Sequence, residues 1–294
     1  MNRCNRCEKK LVTPWHDCYM RSLRKYKMCD KFIFFDYESV QEGGTHTPNM
    51  VVIQTRCSDC LSKEDAAKCD RCGTRCPDCD EWLYASKKYK INTHCRKGSC
   101  ADTEVVYHGE NTVASFCNWL LTEKRSRSTV IAHNSSGYDS LFILRALLLD
   151  YCLTPKKIIY RGSKLLYMVV PGYEIRFIDS YCFLSIPLAN FPKAMGFSNE
   201  EKGYFPYLFN TWYNSGYTGE RPHHSYYHPE TMSVDRKKKF LSWYDSVKDV
   251  PYDHDEELLR YYRNDVTILR KGCLRFRQEY LDGTGLDPFS FVTI

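Results

Sequence analysis

The sequence predicts an α/β fold in which strands and helices interleave around a mixed sheet. Residues 31–36 form a short apolar run that ends in a carboxylate, which is typical of a buried strand. Residues 138–150 are rich in leucine and follow a Ser-Ser-Gly stretch, which indicates a buried helix. Residues 254–280 are amphipathic and precede Gly283, so they predict a long helix that stops there.

The remaining elements follow from the same patterns. A second strand is predicted at residues 50–55, after a turn-rich stretch at residues 41–49. The next elements predicted in chain order are a helix at residues 112–123 and strands at residues 128–132, 157–160, 165–170 and 174–179. Residues 187–252 are rich in aromatic residues, proline and glycine, so loops and short helices are expected there.

Composition and charge restrict the class of protein. The chain has 294 residues, 43% of them hydrophobic, which is enough for a substantial core. No apolar run approaches the roughly 18–20 residues that span a bilayer, and the N-terminus lacks the apolar segment of a signal peptide. We therefore expect an intracellular protein, nuclear or cytoplasmic, without a membrane partner.

The formal net charge of +6 lies entirely within residues 1–31. The sequence thus divides into a basic N-terminal arm at residues 1–30 and a main domain at residues 31–290. Such an arm is suited to contacts with phosphate, although a solvated basic tail explains it equally well.

Eight of the 16 cysteines form four C-x-x-C pairs, which in a reducing compartment usually bind metal. Residues 57–100 are polar, lack helical or strand periodicity, and are interpreted as an inserted zinc module. The set with the spacing of a structural zinc site is Cys57, Cys60, Cys69 and Cys72. The cysteines available for a second zinc ion are Cys76, Cys79, Cys95 and Cys100. A third candidate set is Cys4, Cys7, His16 and Cys18. The spacing leaves open an interleaved pairing of these ligands, and also unliganded thiols.

Asp36 and Glu38 are two residues apart at the end of the first predicted strand. Side chains at that spacing point to the same face of a strand. Two neighbouring carboxylates repel each other unless a cation neutralises them, so the pair favours a metal site. The pattern alone is common on protein surfaces.

Two further segments carry acids in suggestive places. Asp139 follows the strand at residues 128–132 and opens the buried helix, a position in which an acid is also an ordinary helix cap. Tyr261 and Asp265 are four residues apart and lie on one face of the last helix. Asp265 adjoins the apolar Val266, where an unpaired acid is costly.

Taken in order, Asp-x-Glu, Asn-x-x-x-Tyr-Asp and Tyr-x-x-x-Asp resemble the three exonuclease motifs of family B DNA polymerases, in the tyrosine subtype. The resemblance implies an RNase H-like (DnaQ-like) exonuclease fold and 3′→5′ hydrolysis at a single-stranded DNA 3′ end. It implies two Mg²⁺ or Mn²⁺ ions held by Asp36, Glu38, Asp139 and Asp265.

The same resemblance implies roles for individual residues. Asp36 would bridge the two ions, Glu38 and Asp265 would hold the ion that activates water, and Asp139 would act through the outer shell. Tyr261 would orient the water or the phosphate. The residues expected to bind the 3′-terminal nucleotide are His133, Asn134, Tyr138 and Ser180. A structural histidine explains His133 equally well, and Tyr181 stands where the family usually has leucine.

A closer resemblance is to the protein-primed polymerases of Polinton (Maverick) elements, from residue 31 to residue 294. It is carried by the stretches FFDYESVQ, AHNSSGYDSLFIL, RGSKLLYM, FIDSYCFLSIPLANFPKAMGF, KGYFPYLFN, FLSWY and YYRNDVTIL. It implies a polymerase domain and a terminal priming protein as partners. Because the chain stops where the family's palm would follow, we expect no nucleotide polymerisation from it alone.

Two alternatives use the same residues differently. A stand-alone exoribonuclease or DNA-repair exonuclease would need the same four acids. A non-enzymatic zinc-finger protein would bind nucleic acid through its cysteine module and basic arm, and its acids would have no catalytic role.

Overall fold

The computed structural model describes residues 31–42, 44–57, 104–197 and 202–293. The described strands form a mixed sheet of seven in the order β3-β2-β1-β4-β7-β6-β5. These strands are β1 Lys31–Glu42, β2 Thr45–Cys57, β3 Glu104–His108, β4 Thr129–Ala132, β5 Lys157–Arg161, β6 Lys164–Val170 and β7 Ile175–Asp179. A separate two-stranded pair is formed by β8 Thr218–Gly219 and β9 Tyr252–Asp253. The helices are α1 Thr112–Leu120, α2 Asp139–Leu149, α3 Phe191–Met195, α4 Val234–Val247 and α5 His254–Thr284. The mixed α/β architecture predicted from the sequence is confirmed.

The centre of the sheet is parallel. β1 pairs with β4, and β4 pairs with β7, in parallel register. β2 lies antiparallel to β1 on one side, and β6 lies antiparallel to β7 on the other. The carboxyl ends of β1, β4 and β7 therefore meet at one edge, which is where α/β sheets usually place their sites.

Side chains of β1 alternate between two hydrophobic cores. Ile33 and Phe35 face a core completed by α1 and α2. Phe32 and Phe34 face the opposite core, which α3 and α5 cover. All four are almost fully buried, and each contributes on the order of 1.5–3 kcal/mol to folding. β1 is thus fixed on both faces.

Helix α5 extends along one face of the sheet and is fixed at both ends. Asp253 caps its start by accepting a hydrogen bond from the Glu256 N–H at 3.0 Å. Near its other end, Arg277 donates to both carboxylate oxygens of Asp287, which lies beyond the helix, and both side chains are buried. The Arg277 guanidinium also lies 4.9 Å from the centroid of the Phe32 ring, which joins the end of the described chain to β1.

Three sequence predictions are corrected. Residues 41–49 are not a loop, because β1 and β2 continue through them to a turn at Gly44, which has φ 76°. Residues 187–252 contain the 14-residue helix α4, whose Phe240 and Tyr244 are buried in an aromatic cluster. Helix α5 does not stop before Gly283 but continues to Thr284, because the left-handed C-cap lies at Gly285.

The predicted basic arm and nearly all of the predicted cysteine module lie outside the described residues. Cys57 is described: it is buried at the end of β2. None of the helices in the described ranges is long and apolar enough to cross a bilayer.

Candidate active site

The first two predicted acids lie on β1 beyond the point where it pairs with β4. That pairing ends at Phe34, so Asp36 and Glu38 continue past the parallel edge of the sheet. Both lie on the face of β1 that carries Phe32 and Phe34, which is the side of the sheet covered by α5. The predicted same-face placement of the two acids is therefore present, and it directs them towards the helix that carries Asp265.

Asp139 reaches β1 from the start of α2. Its Oδ1 accepts a hydrogen bond from the backbone N–H of Tyr37 at 3.2 Å. Tyr37 lies between Asp36 and Glu38, so this carboxylate is fixed beside the strand that carries the other two acids. Asp139 is therefore more than a helix cap, since its carboxylate bonds to a residue 102 positions away.

Asp265 is buried on α5 and pairs with a lysine that lies beside the acids. Its Oδ2 lies 2.8 Å from Nζ of Lys202. Its Oδ1 is buried and has no hydrogen-bond partner in the described part of the chain. The Lys202 ammonium also lies 5.2 Å from the centroid of the Tyr261 ring, so Tyr261 and Asp265 both face this cation.

Burial raises the pKa of all four acids, and neighbouring acids raise it further at Asp36 and Glu38. Burial, followed by the charges of Asp139 and Asp265, raises the pKa of Asp36 well above its usual range. Burial raises the pKa of Glu38 to about 7, against the opposing effects of Tyr262, the Ser39 backbone and Lys202.

The pKa values of the other two carboxyls are raised without help from the rest of the set. Burial raises the pKa of Asp139 to about 7, although the Tyr37 N–H opposes the shift. Burial also raises the pKa of Asp265, and Lys202 opposes it. Burial alone would lower the pKa of Lys202, but Asp265, Tyr207 and Asp36 together outweigh it and the pKa is raised. The site therefore holds more carboxyl groups than one lysine can neutralise when they ionise, and additional cations would favour their ionised form.

The acidic side chains of the site are chemically suited to bind a divalent metal ion, but they do not lie close enough together to hold one. Carboxylate oxygens are the ligands that Mg²⁺ and Mn²⁺ prefer, and the unpartnered Oδ1 of Asp265 is available as one. However, no group of three or more His, Cys, Asp or Glu side chains in the described ranges is gathered closely enough to hold an ion. Lys202 occupies the position beside Asp265 instead.

A buried acid outside the predicted set organises the loop between β4 and α2. Asp179, at the end of β7, accepts hydrogen bonds from the N–H groups of Asn134 at 2.8 Å and Ser136 at 3.0 Å. It also accepts from the N–H of Tyr181 at 2.9 Å. Asn134 has a left-handed backbone, with φ 56°, so Asp179 fixes a strained turn that would otherwise be unfavourable.

His133 and Ser180 contact each other below the cavity. Nδ1 of His133 lies 2.9 Å from the Ser180 hydroxyl, and Nε2 lies 3.0 Å from the Ile186 carbonyl. Burial lowers the pKa of His133, so its ring is neutral near pH 7. The Ser180 side chain is fully buried, and the Ala132 carbonyl, 3.0 Å from its hydroxyl, competes with Nδ1 of His133 for the single hydroxyl proton. Its predicted contact with substrate stays a prediction, with the hydroxyl turned to the interior.

A cavity of about 380 Å³ opens at this edge of the sheet. Residues from the separate predicted motifs line it together with Lys202: they are Asp36, His133, Asn134, Tyr181 and Asp265. Pro187, Leu188 and Leu269 provide its apolar wall. Tyr138 is partly buried at the start of α2, where its ring packs edge-on against Phe142 with centroids 4.9 Å apart.

Three residues at this site were not predicted from the sequence. Lys202 follows the acids Glu200 and Glu201 and precedes the aromatic Tyr204, and a lone basic residue in that place was the available signal. Tyr207 belongs to the same segment, and its hydroxyl contacts that of Tyr261. Asp179 ends an apolar strand, as Asp36 does, and that shared position was the available signal.

The family of the chain follows from a comparison of sequences. The sequence model of the family "DNA polymerase type B, organellar and viral" matches residues 122–294, a stretch that contains Asp139, Lys202, Tyr261 and Asp265. The chain belongs to this family. The family predicted from the three motifs is thereby confirmed.

Other comparisons add little to this type B polymerase assignment. No curated protein matches the chain. Among solved structures, it is similar to Phi29 DNA polymerase complexed with primer-template DNA and incoming nucleotides, with 13% identity and a TM-score of 0.44. That match covers 87% of this chain and 32% of the polymerase. Phi29 DNA polymerase complexed with single-stranded DNA gives 12% identity, a TM-score of 0.43, and coverage of 88% and 32%. The chain thus spans about a third of the length of the solved polymerases that it matches.

Proposed function

We propose that this chain is the 3′→5′ exonuclease portion of a protein-primed type B DNA polymerase, with an RNase H-like fold. One observation carries the proposal: acids from three separate motifs meet at the carboxyl edge of the sheet. After burial, the charges of Asp139 and Asp265 are what raise the pKa of Asp36 there, and Asp36 and Asp265 line a cavity. In a polymerase family, such a site is suited to hydrolysing a phosphodiester bond at a strand end.

Hydrolysis adds water across the bond between phosphorus and the 3′ oxygen. The water oxygen attacks phosphorus, the O3′ departs with a proton, and a 5′-mononucleotide leaves. Asp36, Glu38, Asp139 and Asp265 would hold two Mg²⁺ or Mn²⁺ ions, which supply an activated water and stabilise the leaving oxygen.

The chain's own side chains would place the substrate. Lys202 lines the cavity beside Asp265, so its ammonium is positioned to meet a phosphate oxygen. The hydroxyls of Tyr261 and Tyr207 contact each other next to it and would orient the attacking water. Asn134 and Tyr181 line the opposite part of the cavity, where the terminal nucleoside would lie. The neutral His133 would support that wall.

The test uses the purified chain and single-stranded DNA labelled at its 5′ end. We expect Mg²⁺- or Mn²⁺-dependent shortening from the 3′ end in single-nucleotide steps, and no shortening by the Asp36→Ala, Glu38→Ala double variant. A matched RNA oligonucleotide should be degraded more slowly. Preferential digestion of RNA would favour an exoribonuclease, and binding of DNA without cleavage by the parent chain would favour a zinc-finger protein.

The remaining features of the proposal concern partners. We infer structural zinc in the cysteine module, held by the ligand sets that begin with Cys57, and this is tested by the zinc content of the purified chain. A polymerase domain and a terminal priming protein are the expected partners, in a Polinton-like element whose product acts in the nucleus or cytoplasm. Addition of a separately expressed polymerase domain should then give a complex that extends primers.

A further inference from the structure

The hairpin of β1 and β2 extends beyond the rest of the described sheet. Residues 39–42 pair with residues 45–48, whereas β4 pairs only with residues 32–34 and β3 only with residues 50–54. This projecting segment, the hairpin arm, therefore has no third strand among the described elements. It begins directly after Glu38, where the register of β1 and β2 shifts.

The arm makes a specific contact with the start of α2. His46 lies opposite Gln41 in the arm, and its Nδ1 is 2.8 Å from the hydroxyl of Tyr138. The two rings meet edge to face, with centroids 5.3 Å apart. Tyr138 is held on another side by the ring of Phe142, 4.9 Å away. Its ring is thus fixed between the arm and α2.

The position of Tyr138 relates this contact to the site. The charges of Glu38, Asp139 and Asp36 all act on its hydroxyl and raise its pKa, together with burial as the largest cause. Tyr138 is therefore a neighbour of the acids, and its ring is only half buried. An aromatic ring in such a place can stack on a base, which is how proteins bind single strands without reading their sequence.

His46 itself is exposed, so its contact with Tyr138 contributes little to the packing of the core. Its effect is on the freedom of the Tyr138 ring, which can otherwise rotate about two side-chain bonds. A ring fixed before binding avoids the entropic cost of being ordered by the ligand.

We propose that the hairpin arm is part of the binding site for a single-stranded 3′ end, and that His46 is the positioning residue that orients Tyr138 towards the terminal base. This inference rests on the proposed exonuclease function and assigns a residue that none of the three acid motifs contains.

A double-mutant cycle tests it in the full chain. The dissociation constant of a fluorescent single-stranded oligonucleotide is measured by anisotropy in EDTA, for the parent, His46→Ala, Tyr138→Phe and the double variant. We expect each single change to weaken binding about 3- to 10-fold, because each removes the same contact. The dissociation constant of the double variant should then be no higher than that of the single variant that binds more weakly. Independent, multiplying effects would overturn the proposal.

Two further variants separate positioning from general damage. In His46→Asn, the amide occupies the place of Nδ1, so binding should approach that of the parent, whereas His46→Gln should resemble His46→Ala. His228→Ala is the matched control, because His228 contacts Glu230 instead, and it should bind as the parent does. Equal weakening by the Asn and Ala variants would contradict a role through Nδ1.

Kinetics distinguish this inference from the proposed function. With Mg²⁺, His46→Ala should raise KM by the same factor and leave kcat within about twofold, since no reacting atom is removed. If the parent chain binds DNA in this cycle but does not cleave it, the exonuclease proposal fails alone. If the parent cleaves and the His46 variants match it in KM, the arm proposal fails alone.

Discussion

Among single residues, Lys202 is the cation that acts on three of the four acids. It is the cation that lowers the pKa of Asp36, Glu38 and Asp265, in each case against the effect of burial. One ammonium does not neutralise several buried carboxyls once they ionise, so the same pocket could hold both a lysine and the proposed metal ions. In the proposed mechanism, the lysine would be free to contact the phosphate once metal neutralises the acids.

Replacement of Lys202 by methionine should therefore impair the chemical step. We expect a loss of about 10²–10³-fold in single-turnover cleavage of a single-stranded oligonucleotide, the size associated with removing one preorganised electrostatic donor. Lys202→Arg keeps the charge and should retain more activity. The control is Lys193→Met, since Lys193 is an exposed lysine on α3. Full activity in Lys202→Met would show that this ammonium does not meet the reacting phosphate.

Asp179 has its effect through the backbone instead. Replacement by asparagine puts an amide N–H₂ group near the N–H of Ser136 or Asn134, so donors face each other in a buried place. We expect a loss of about 1–3 kcal/mol in the free energy of unfolding, measured by urea denaturation. Binding of single-stranded DNA should weaken with it, because Asn134 loses its fixed turn.

The matched control for that substitution is Asp150→Asn, at the exposed C-cap of α2. It makes the same chemical change without a buried donor nearby and should leave stability within about 0.5 kcal/mol of the parent. Equal stability of the Asp179 and Asp150 variants would mean that the loop does not depend on its buried acceptor.

Among the elements, the contact of α3 with α5 is the tightest point near the site. Gly272 of α5 faces the ring of Phe191, and a Cβ at this glycine would lie 3.1 Å from the Phe191 Cγ and closer still to Cδ2. Phe191 is fully buried and meets the ring of His133 edge-on, with centroids 4.9 Å apart. Packing of the two helices is thereby linked to the wall of the cavity.

Gly272→Ala should consequently destabilise the chain by about 1–3 kcal/mol through overpacking, measured by thermal or urea unfolding. It should also reduce cleavage, because the displaced Phe191 ring presses on His133. Gly283→Ala is a control in the same helix, where a Cβ meets no atom within 4 Å. That change should be neutral or stabilising, by up to about 1 kcal/mol. Stabilisation by Gly272→Ala would show that α3 moves aside freely.

The elements also show where sequence reasoning succeeds and where it stops. The strands β4 to β7 and helices α1, α2 and α5 were predicted because their apolar periodicity is strong and their ends carry turn residues. The continuation of β1 and β2 into the arm was missed, since polar residues such as Thr45 and His46 form strands there only through pairing with each other. Helix α4 was missed because its apolar face is short and its aromatic partners, among them Tyr204 and Tyr227, are distant in sequence.

The site was predictable to the extent that it depends on local motifs. The acids of the three motifs were found by spacing and order. Lys202, Asp179 and His46 were not, because their partners Asp265, Asn134 and Tyr138 are far away in the sequence, and only the fold brings them together. Contacts of this kind have no periodic or spacing signature.

For the molecule as a whole, the buried acids make stability depend on pH. The folded state raises the pKa of Glu38 from 4.5 to about 7, so it prefers the protonated form. The resulting stabilisation is fully present below about pH 4.5 and is lost as the pH rises through about 7. Asp139, raised from 3.8 to about 7, acts in the same direction.

In EDTA, the free energy of unfolding should therefore fall by about 1–3 kcal/mol between pH 5 and pH 8. Glu38→Gln should reduce that fall, because the amide does not ionise. Mg²⁺ or Mn²⁺ should stabilise the parent more at pH 8 than at pH 5, since binding to the ionised acids is linked to folding. Urea denaturation at both pH values, with and without metal, measures each effect.

The control for this linkage is Asp249→Asn, a change at an exposed acid outside the cluster. It should leave both the pH dependence and the metal effect as in the parent. A parent chain whose stability rises from pH 5 to pH 8 in EDTA would contradict the burial of these acids as described.

The ion pair of Arg277 with Asp287 has a consequence for the local dynamics of the chain. The N–H of Phe289 donates to Asp287 Oδ1 at 3.1 Å, and the Phe289 ring is buried against that of Phe32. Short turns outside the main elements usually exchange their amide hydrogens quickly, because they open without disturbing the core. Here the turn at Pro288–Ser290 can open only if the ion pair of Arg277 with Asp287 and the packing at the start of β1 are also lost. Its amides should therefore exchange as slowly as those of the central strands, and the slowest-exchanging cooperative unit would include the end of the described chain.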